Sequence, residues 1–115
     1  MLEVILVHHI IPIPALNDNY IWLILHPENH TGVIVDPGED TPVLDYLAKH
    51  ALTLEAILIT HHHWDHTNGV AGILAQHPCP VYGPYSERIP SITHPLKEGD
   101  TCSIENTNLQ FNILE

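Results

Sequence analysis

The chain of 115 residues carries 14 acidic residues against only three basic ones, which gives a formal net charge of −11 with histidine neutral. Because no basic patch is present to neutralise phosphates, nucleic acid is excluded as an expected partner. A hydrophobic fraction of 44% excludes a disordered chain, and no apolar run reaches the roughly 18 residues of a membrane span.

Length and cysteine content bound the organisation and the compartment. A chain of this size buries roughly two thirds of its unfolded surface, so we expect a single domain over residues 1–115. Cys79 and Cys102 have no paired spacing, which predicts a reducing, cytoplasmic compartment. The apolar amino terminus contains Glu3 and no basic residue, so it predicts a first strand and not a signal peptide.

The first third of the chain predicts three strands. β-Branched residues over 3–11 predict a strand that Pro12 and Pro14 end. Residues 20–25 and 32–35 predict two more strands, and the turn-forming residues between them indicate a hairpin.

The middle of the chain predicts a strand between two helices. A cap at Asp40 or Thr41 and Pro42 near the first helical position predict a helix that runs to about His50. The later predicted elements are a strand over 54–59, a helix with apolar positions Val70, Ile73 and Leu74 that stops at Pro78, a short strand over 80–82, a loop over 83–95, a turn over 96–100, and paired strands over 101–104 and 109–114.

Between the strand over 54–59 and the second helix lies the most specific stretch, which we call the ligand run (residues 61–66). His61 and His63 are two positions apart, so in a near-extended loop both imidazoles project to the same side and can hold one ion. Asp65 and His66 lie further along and can reach a second ion. Imidazole and carboxylate donors suit zinc, and less selectively iron or manganese. The spacing therefore predicts a site for two divalent metals, with zinc as the default.

Neighbouring residues have supporting or structural readings. In an extended loop His62 points the other way, and it is predicted to face solvent or to contact the ligands without binding the metal itself. Asp36 ends a strand next to the expected site, where its carboxylate can hold a ligand imidazole or cap the backbone of the loop. The remaining histidines are predicted to be solvated or packed, although His94 is a candidate to complete a metal shell.

The stretch Thr60–Gly69 resembles the His-x-His-x-Asp-His signature of the metallo-β-lactamase superfamily. Three further stretches, Ile13–Trp22, Val33–Gly38 and Val81–Pro84, resemble glyoxalase II, the hydroxyacylglutathione hydrolases. The resemblance implies an α/β fold, the αββα sandwich. This chain would represent its amino-terminal half, one mixed β-sheet with covering helices.

The resemblance also implies an activity. It indicates a metal-dependent thioesterase that converts S-lactoylglutathione to glutathione and D-lactate in methylglyoxal detoxification. The nucleophile would be a metal-bound hydroxide, whose pKa falls from about 15.7 toward about 7, so no catalytic side chain is assigned beyond the metal ligands. Two alternatives stay open: a hydrolase of the same fold acting on a lactone, a β-lactam or a persulfide, and a half-domain that is not an enzyme.

Finally, the resemblance places several required groups beyond Glu115. The family's next metal histidine follows a strand like residues 109–114, and its basic residues for glutathione come later still. We therefore expect incomplete metal shells, little thioesterase activity from residues 1–115 alone, and self-association through the exposed edge of the strand over 109–114.

Overall fold

In the computed structural model, the described residues are 9–15, 20–60, 69–84 and 92–97, together with the backbone of residues 101–104 and 109–112. The strands are β1 (His9–Pro14), β2 (Tyr20–His26), β3 (Thr31–Val35), β4 (Thr53–Leu58), β5 (Val81–Pro84), β6 (His94–Leu96), β7 (Thr101–Ile104) and β8 (Leu109–Asn112). The helices are α1 (Thr41–Lys49) and α2 (Val70–Gln76). Among these residues, no helix has the length and hydropathy that a membrane crossing requires.

Six strands form one mixed sheet in the order β1-β2-β3-β4-β5-β6. β1, β2 and β3 are antiparallel neighbours, which confirms the predicted hairpin. β3 to β6 run parallel, and α1 and α2 supply crossovers of the kind that parallel neighbours need. β7 and β8 form a separate antiparallel pair, as predicted. The predicted α/β class, one mixed sheet with covering helices, is confirmed.

One face of the sheet packs against both helices. Leu23, Ile34 and Ile57 are fully buried there with Val43 of α1 and Ile73 of α2. Burial of each large aliphatic side chain contributes about 1.5–3 kcal/mol, so this helix-side face supplies most of the hydrophobic stabilisation of the described chain. The other buried members of the cluster are Ile13, Ile21, Leu47, Leu52, Leu54, Ile59, Val70 and Val81.

The opposite face of the sheet is less completely covered. Val33, Ala56 and Leu58 form a smaller buried cluster on it. Strand alternation also places Tyr20 and Trp22 on this side, and they remain 55% and 43% exposed. Their rings lie 6.0 Å apart, centroid to centroid. Within the described part of the chain, this face therefore presents apolar surface to solvent.

A β-bulge lies between β3 and β4. Gly32 pairs with Leu54, but the next residue, Val33, pairs with Ala56, so Glu55 is the extra residue. The face that each later residue of β4 presents is thereby shifted by one position. Strict alternation in the sequence does not predict this shift.

The predicted end of the first strand is confirmed at Pro14, which is the last residue of β1, but it is wrong at Pro12, which lies inside the strand opposite Trp22 of β2. β1 is an edge strand, and edge strands tolerate proline because one side of the strand has no partner. Residues 3–8 of the predicted strand lie outside the described residues.

The predicted loop over residues 83–95 is wrong at both ends, where β5 extends to Pro84 and β6 begins at His94. The missed start of β6 is explained by a hydrogen bond between two residues that are 12 positions apart in the sequence. The Thr93 hydroxyl accepts a hydrogen bond from the Val81 amide at 2.9 Å, which aligns β6 with β5. Such a long-range contact has no local sequence signal.

Candidate metal site at the carboxyl edge of the sheet

The carboxyl ends of β3, β4 and β5 meet at one edge of the sheet because these strands are parallel. Ligand sites of α/β sheets form at such edges. The ligand run follows Thr60, two residues beyond β4, so its entry lies at this edge. The predicted ligands themselves, His61, His63, Asp65 and His66, and also His62, lie outside the described residues. The structure describes what precedes and follows them.

The entry to the ligand run is hydrogen-bonded to Asp36, the residue that directly follows β3. The Thr60 amide donates to Asp36 Oδ1 at 2.7 Å, and the Thr60 hydroxyl donates to Asp36 Oδ2. The Asp36 amide in turn donates to the Leu58 carbonyl at 2.9 Å. Asp36 has a φ of 52°, a left-handed conformation that aspartate tolerates better than most residues. Its carboxylate thus caps the backbone directly before the predicted ligands.

The exit from the ligand run, at Gly69, is hydrogen-bonded to Pro37, the residue that follows Asp36. The Gly69 amide donates to the Pro37 carbonyl at 2.9 Å, and α2 begins immediately afterwards. Entry and exit are therefore both attached to the segment between β3 and α1, which we call the β3–α1 connection (residues 36–40).

The neighbouring strand carries an aromatic pair at the same edge. The Ile59 amide donates to the Tyr82 carbonyl at 2.7 Å, and the Tyr82 ring packs on His94 with centroids 4.5 Å apart. Thr93 Oγ1 lies 2.8 Å from His94 Nδ1. His94 is exposed on β6, two strands from β4, and so about 10 Å away at the usual spacing of strands. Its role as a further ligand stays a prediction.

The other described histidines do not gather into a site. Within the part of the chain that the structure describes, no group of three or more histidine, cysteine, aspartate or glutamate side chains is placed to hold a metal ion. His50, for example, packs on Tyr46 at the end of α1, with ring centroids 4.2 Å apart.

Cys79 is not placed for chemistry. Burial, and secondarily the negative charge of Glu55, raises the pKa of the Cys79 thiol from 9.0 to about 11. The thiol is therefore protonated at neutral pH, whereas a nucleophile or a metal ligand needs the thiolate.

The attachment of the exit is the feature that sequence reasoning missed. One signal was present: Gly72 lies in the first turn of α2, and glycine inside a helix costs about 1 kcal/mol relative to alanine. A glycine kept at such a cost indicates close packing. Nothing in the sequence, however, identifies the β3–α1 connection as the partner.

Comparison with known proteins places the chain in a family. Residues 16–103 match the family model described as the metallo-beta-lactamase superfamily. The chain is 54% identical over 101 residues to the hydroxyacylglutathione hydrolase of Hahella chejuensis, covering 88% of this chain and 39% of that one. It is 43% identical over 106 residues to the hydroxyacylglutathione hydrolase of Nitrosomonas eutropha, covering 92% and 41%. The chain thus spans about 40% of the length of these curated relatives.

Solved structures agree on the fold. The BLEG-1 B3 metallo-beta-lactamase matches with a TM-score of 0.76 at 24% identity, over 90% of this chain and 59% of that one. ETHE1 from Myxococcus xanthus matches with a TM-score of 0.71 at 20% identity, over 90% and 46%. The superfamily and the curated relatives together imply divalent metal binding. The chain belongs to the metallo-β-lactamase superfamily.

Proposed function

We propose that residues 1–115 form the amino-terminal part of a single metallo-β-lactamase-like domain with glyoxalase II activity. The reaction is hydrolysis of S-lactoylglutathione to glutathione and D-lactate. The observation that carries this proposal is the attachment of both ends of the ligand run to the β3–α1 connection at the carboxyl edge of the sheet. Identities of 43–54% to proteins named hydroxyacylglutathione hydrolase support the choice of substrate.

The donor chemistry of the ligand run fits divalent metals. Three imidazoles, which are borderline donors, and one carboxylate, which is a hard donor, together suit zinc first and iron or manganese less selectively. Asp36 is poorly placed to be a further ligand, because both of its carboxylate oxygens already accept hydrogen bonds from Thr60. We assign it the supporting role of fixing the loop backbone.

Each part of the site has a distinct role in the proposed reaction. His61 and His63 would hold one metal, and Asp65 and His66 would hold the second. The chemistry that the metals supply when bound is acidification of a water molecule and polarisation of the thioester carbonyl. Asp36 orients the entry of the ligand run, so the ligands begin from a fixed backbone position.

Recognition of glutathione needs positive charge that this chain scarcely offers. Its cationic side chains are Lys49, Arg88 and Lys97, against 14 acidic residues. Lys49 lies in the last turn of α1, and α1 leads away from the carboxyl edge of β3 toward the start of β4, so Lys49 lies at the opposite edge from the site. Lys97 directly follows β6, at the carboxyl end of the parallel strands, but one cation cannot pair with both carboxylates of glutathione. We therefore propose that at least one of these carboxylates is bound by residues in the part of the relatives that this chain does not match.

The other properties of the chain follow from the same features. We propose a cytoplasmic location, because the spacing of the two cysteines predicts no disulfide, and no nucleic-acid partner, because of the net charge of −11. Self-association through exposed sheet edges and the open face is proposed as well. Lactone, β-lactam or persulfide hydrolysis has no comparable support, since structural similarity at 20–24% identity extends to the fold alone.

A fusion protein tests the proposed function. Residues 1–115 are joined to the unmatched carboxyl-terminal part of the Hahella chejuensis relative, and hydrolysis of S-lactoylglutathione is followed spectrophotometrically. We expect metal-dependent turnover by the fusion and little by residues 1–115 alone. His61→Ala and Asp65→Ala should abolish turnover, whereas the exposed controls His9→Ala and Asp45→Ala should retain it. Full activity in His61→Ala would contradict the assignment.

A further inference from the structure

We infer that Gly69 and Gly72 are positioning residues, which let α2 seat directly on the β3–α1 connection and so fix the exit of the ligand run. This inference rests on the proposed metal site. Two residues that have no side chain would thus fix the backbone after the ligand run, as Asp36 fixes the backbone before it.

The hydrogen bonds on the two sides of the ligand run have adjacent residues as their acceptors. Thr60 donates to Asp36, and Gly69 donates to Pro37. Asp36 and Pro37 are consecutive, so their Cα atoms lie about 3.8 Å apart. Thr60, directly before the ligand run, and Gly69, three residues after it, are therefore held on neighbouring residues, and a shift at either attachment changes the distance between Thr60 and Gly69.

Gly69 lies so close to the β3–α1 connection that there is no room for a side chain. Its φ of −89° and ψ of −5° are open to any residue, so no backbone conformation requires glycine here. Space requires it. A Cβ on Gly69 would meet the carbonyl carbon of Glu39, and would lie 2.5 Å from the Glu39 oxygen and 2.7 Å from the Asp40 nitrogen. All three are backbone atoms, which cannot rotate away as a side chain can.

Gly72, in the first turn of α2, is obstructed in a different way. A Cβ there would meet Asp40 Oδ2, and would lie 2.7 Å from Asp40 Cγ and 2.8 Å from Asp40 Cβ. These obstructing atoms all belong to a side chain. The clash can therefore be relieved by removing that side chain, which distinguishes Gly72 from Gly69.

The consequence reaches the ligands through the chain. Ordinary contact of a Cβ begins at 3.4 Å, so a methyl group at Gly69 displaces α2 or the β3–α1 connection by close to 1 Å. A methyl group at Gly72 requires a smaller shift, because only the Asp40 Cβ, 2.8 Å away, cannot rotate out of its path. Changes to groups that orient metal ligands typically weaken metal binding about 10–100-fold. We expect a loss in this range for each single variant.

The test uses the 115-residue chain, with cobalt(II) binding followed by its absorption spectrum and unfolding followed in urea. Gly69→Ala and Gly72→Ala should each weaken cobalt binding about 10–100-fold. Adding Asp40→Gly to Gly72→Ala should restore most of the affinity. The Asp40 side chain makes no capping hydrogen bond to α1, so this second change leaves the helix start nearly intact. Adding Asp40→Gly to Gly69→Ala should restore nothing.

Two controls separate positioning from general loss of stability. Leu47→Ala removes buried volume from the second half of α1, seven residues after Asp40, and should lower the urea midpoint without weakening cobalt binding. Ala71→Gly changes an exposed position of α2 and should leave affinity unchanged.

Three results would decide against the inference or divide it from the proposed function. Unchanged cobalt affinity in a folded Gly69→Ala variant overturns it. If Gly69→Ala does not fold, the Gly72 pair decides, and lack of rescue by Asp40→Gly overturns it. If neither the unsubstituted chain nor the fusion protein binds cobalt, the proposed metal site fails, and rescue of the urea midpoint of Gly72→Ala by Asp40→Gly then decides whether the seating of α2 on the β3–α1 connection is correct.

Discussion

The two faces of the six-stranded sheet differ in how completely they are covered, and β2 shows the difference within three residues. Ile21 and Leu23 face the helices and are 2% and 0% exposed, whereas Trp22 between them faces the other way and is 43% exposed. All three side chains are large and apolar. The same strand therefore carries residues that stabilise the described fold and a residue whose apolar surface is left for another contact.

This difference separates stability from association. The helix-side cluster contains most of the fully buried aliphatic side chains, so it governs the free energy of unfolding. The open face contributes less to unfolding but offers exposed aromatic surface, which favours association with other apolar surfaces. Substitutions of matched type on the two faces can show whether these two properties are distributed in this way.

The largest expected effect comes from an isoleucine on each face. Ile34→Ala leaves a cavity in the fully buried helix-side cluster and should lower the free energy of unfolding by about 2–5 kcal/mol. Ile24→Ala on the neighbouring strand removes the same atoms from a half-buried position on the open face and should cost about 1 kcal/mol. Urea unfolding of both variants measures the difference. Equal losses would mean that the open face contributes as much stability as the covered one.

Much of the covered side was predictable from local signals. The start of α1 was predicted from Asp40 and Pro42, and α1 does begin at Thr41. The hairpin of β2 and β3 was predicted from the turn residues between them. Such elements are set by neighbours in the sequence, so a single chain without relatives is enough to predict them.

The errors share a different physical origin. Pro12 is tolerated inside β1 because that strand lies at the sheet edge. Glu55 is the extra residue of a bulge, at which the pairing of β3 with β4 shifts by one residue. Both facts depend on which strand lies beside which. The Gly69 and Gly72 contacts likewise depend on residues about 30 positions earlier. The ligand run was predicted from its spacing, and its four ligands stay a prediction.

A smaller effect is expected at Cys79, which packs against the helix-side cluster. Its pKa in the fold is about 11, against an ordinary 9.0, so between these values the folded chain retains a proton that the unfolded chain has lost. The Cys79 contribution is thus fully present below pH 9 and is lost as pH rises through 11. Subtracting the pH profile of Cys79→Ala, measured by urea unfolding, isolates this slope from other groups. A difference profile flat between pH 8 and 11 would contradict the burial of this thiol.

The clearest effect on association is expected at Trp22. Trp22→Ser removes a ring that is 43% exposed from the open face and should lower the free energy of unfolding by about 1–2 kcal/mol, less than Ile34→Ala does. It should nevertheless shift the chain toward monomer in sedimentation velocity, because the Tyr20–Trp22 pair is then lost as apolar contact surface. The exposed α1 variant Ala48→Ser should sediment as the unsubstituted chain does.

The net charge of −11 opposes association by mutual repulsion, and salt screens that repulsion. Association of the unsubstituted chain should therefore strengthen between low and high ionic strength, while Trp22→Ser stays monomeric in both. If Trp22→Ser associates as strongly as the unsubstituted chain at high salt, the contact forms elsewhere, and the edges of the sheet become the surfaces to examine.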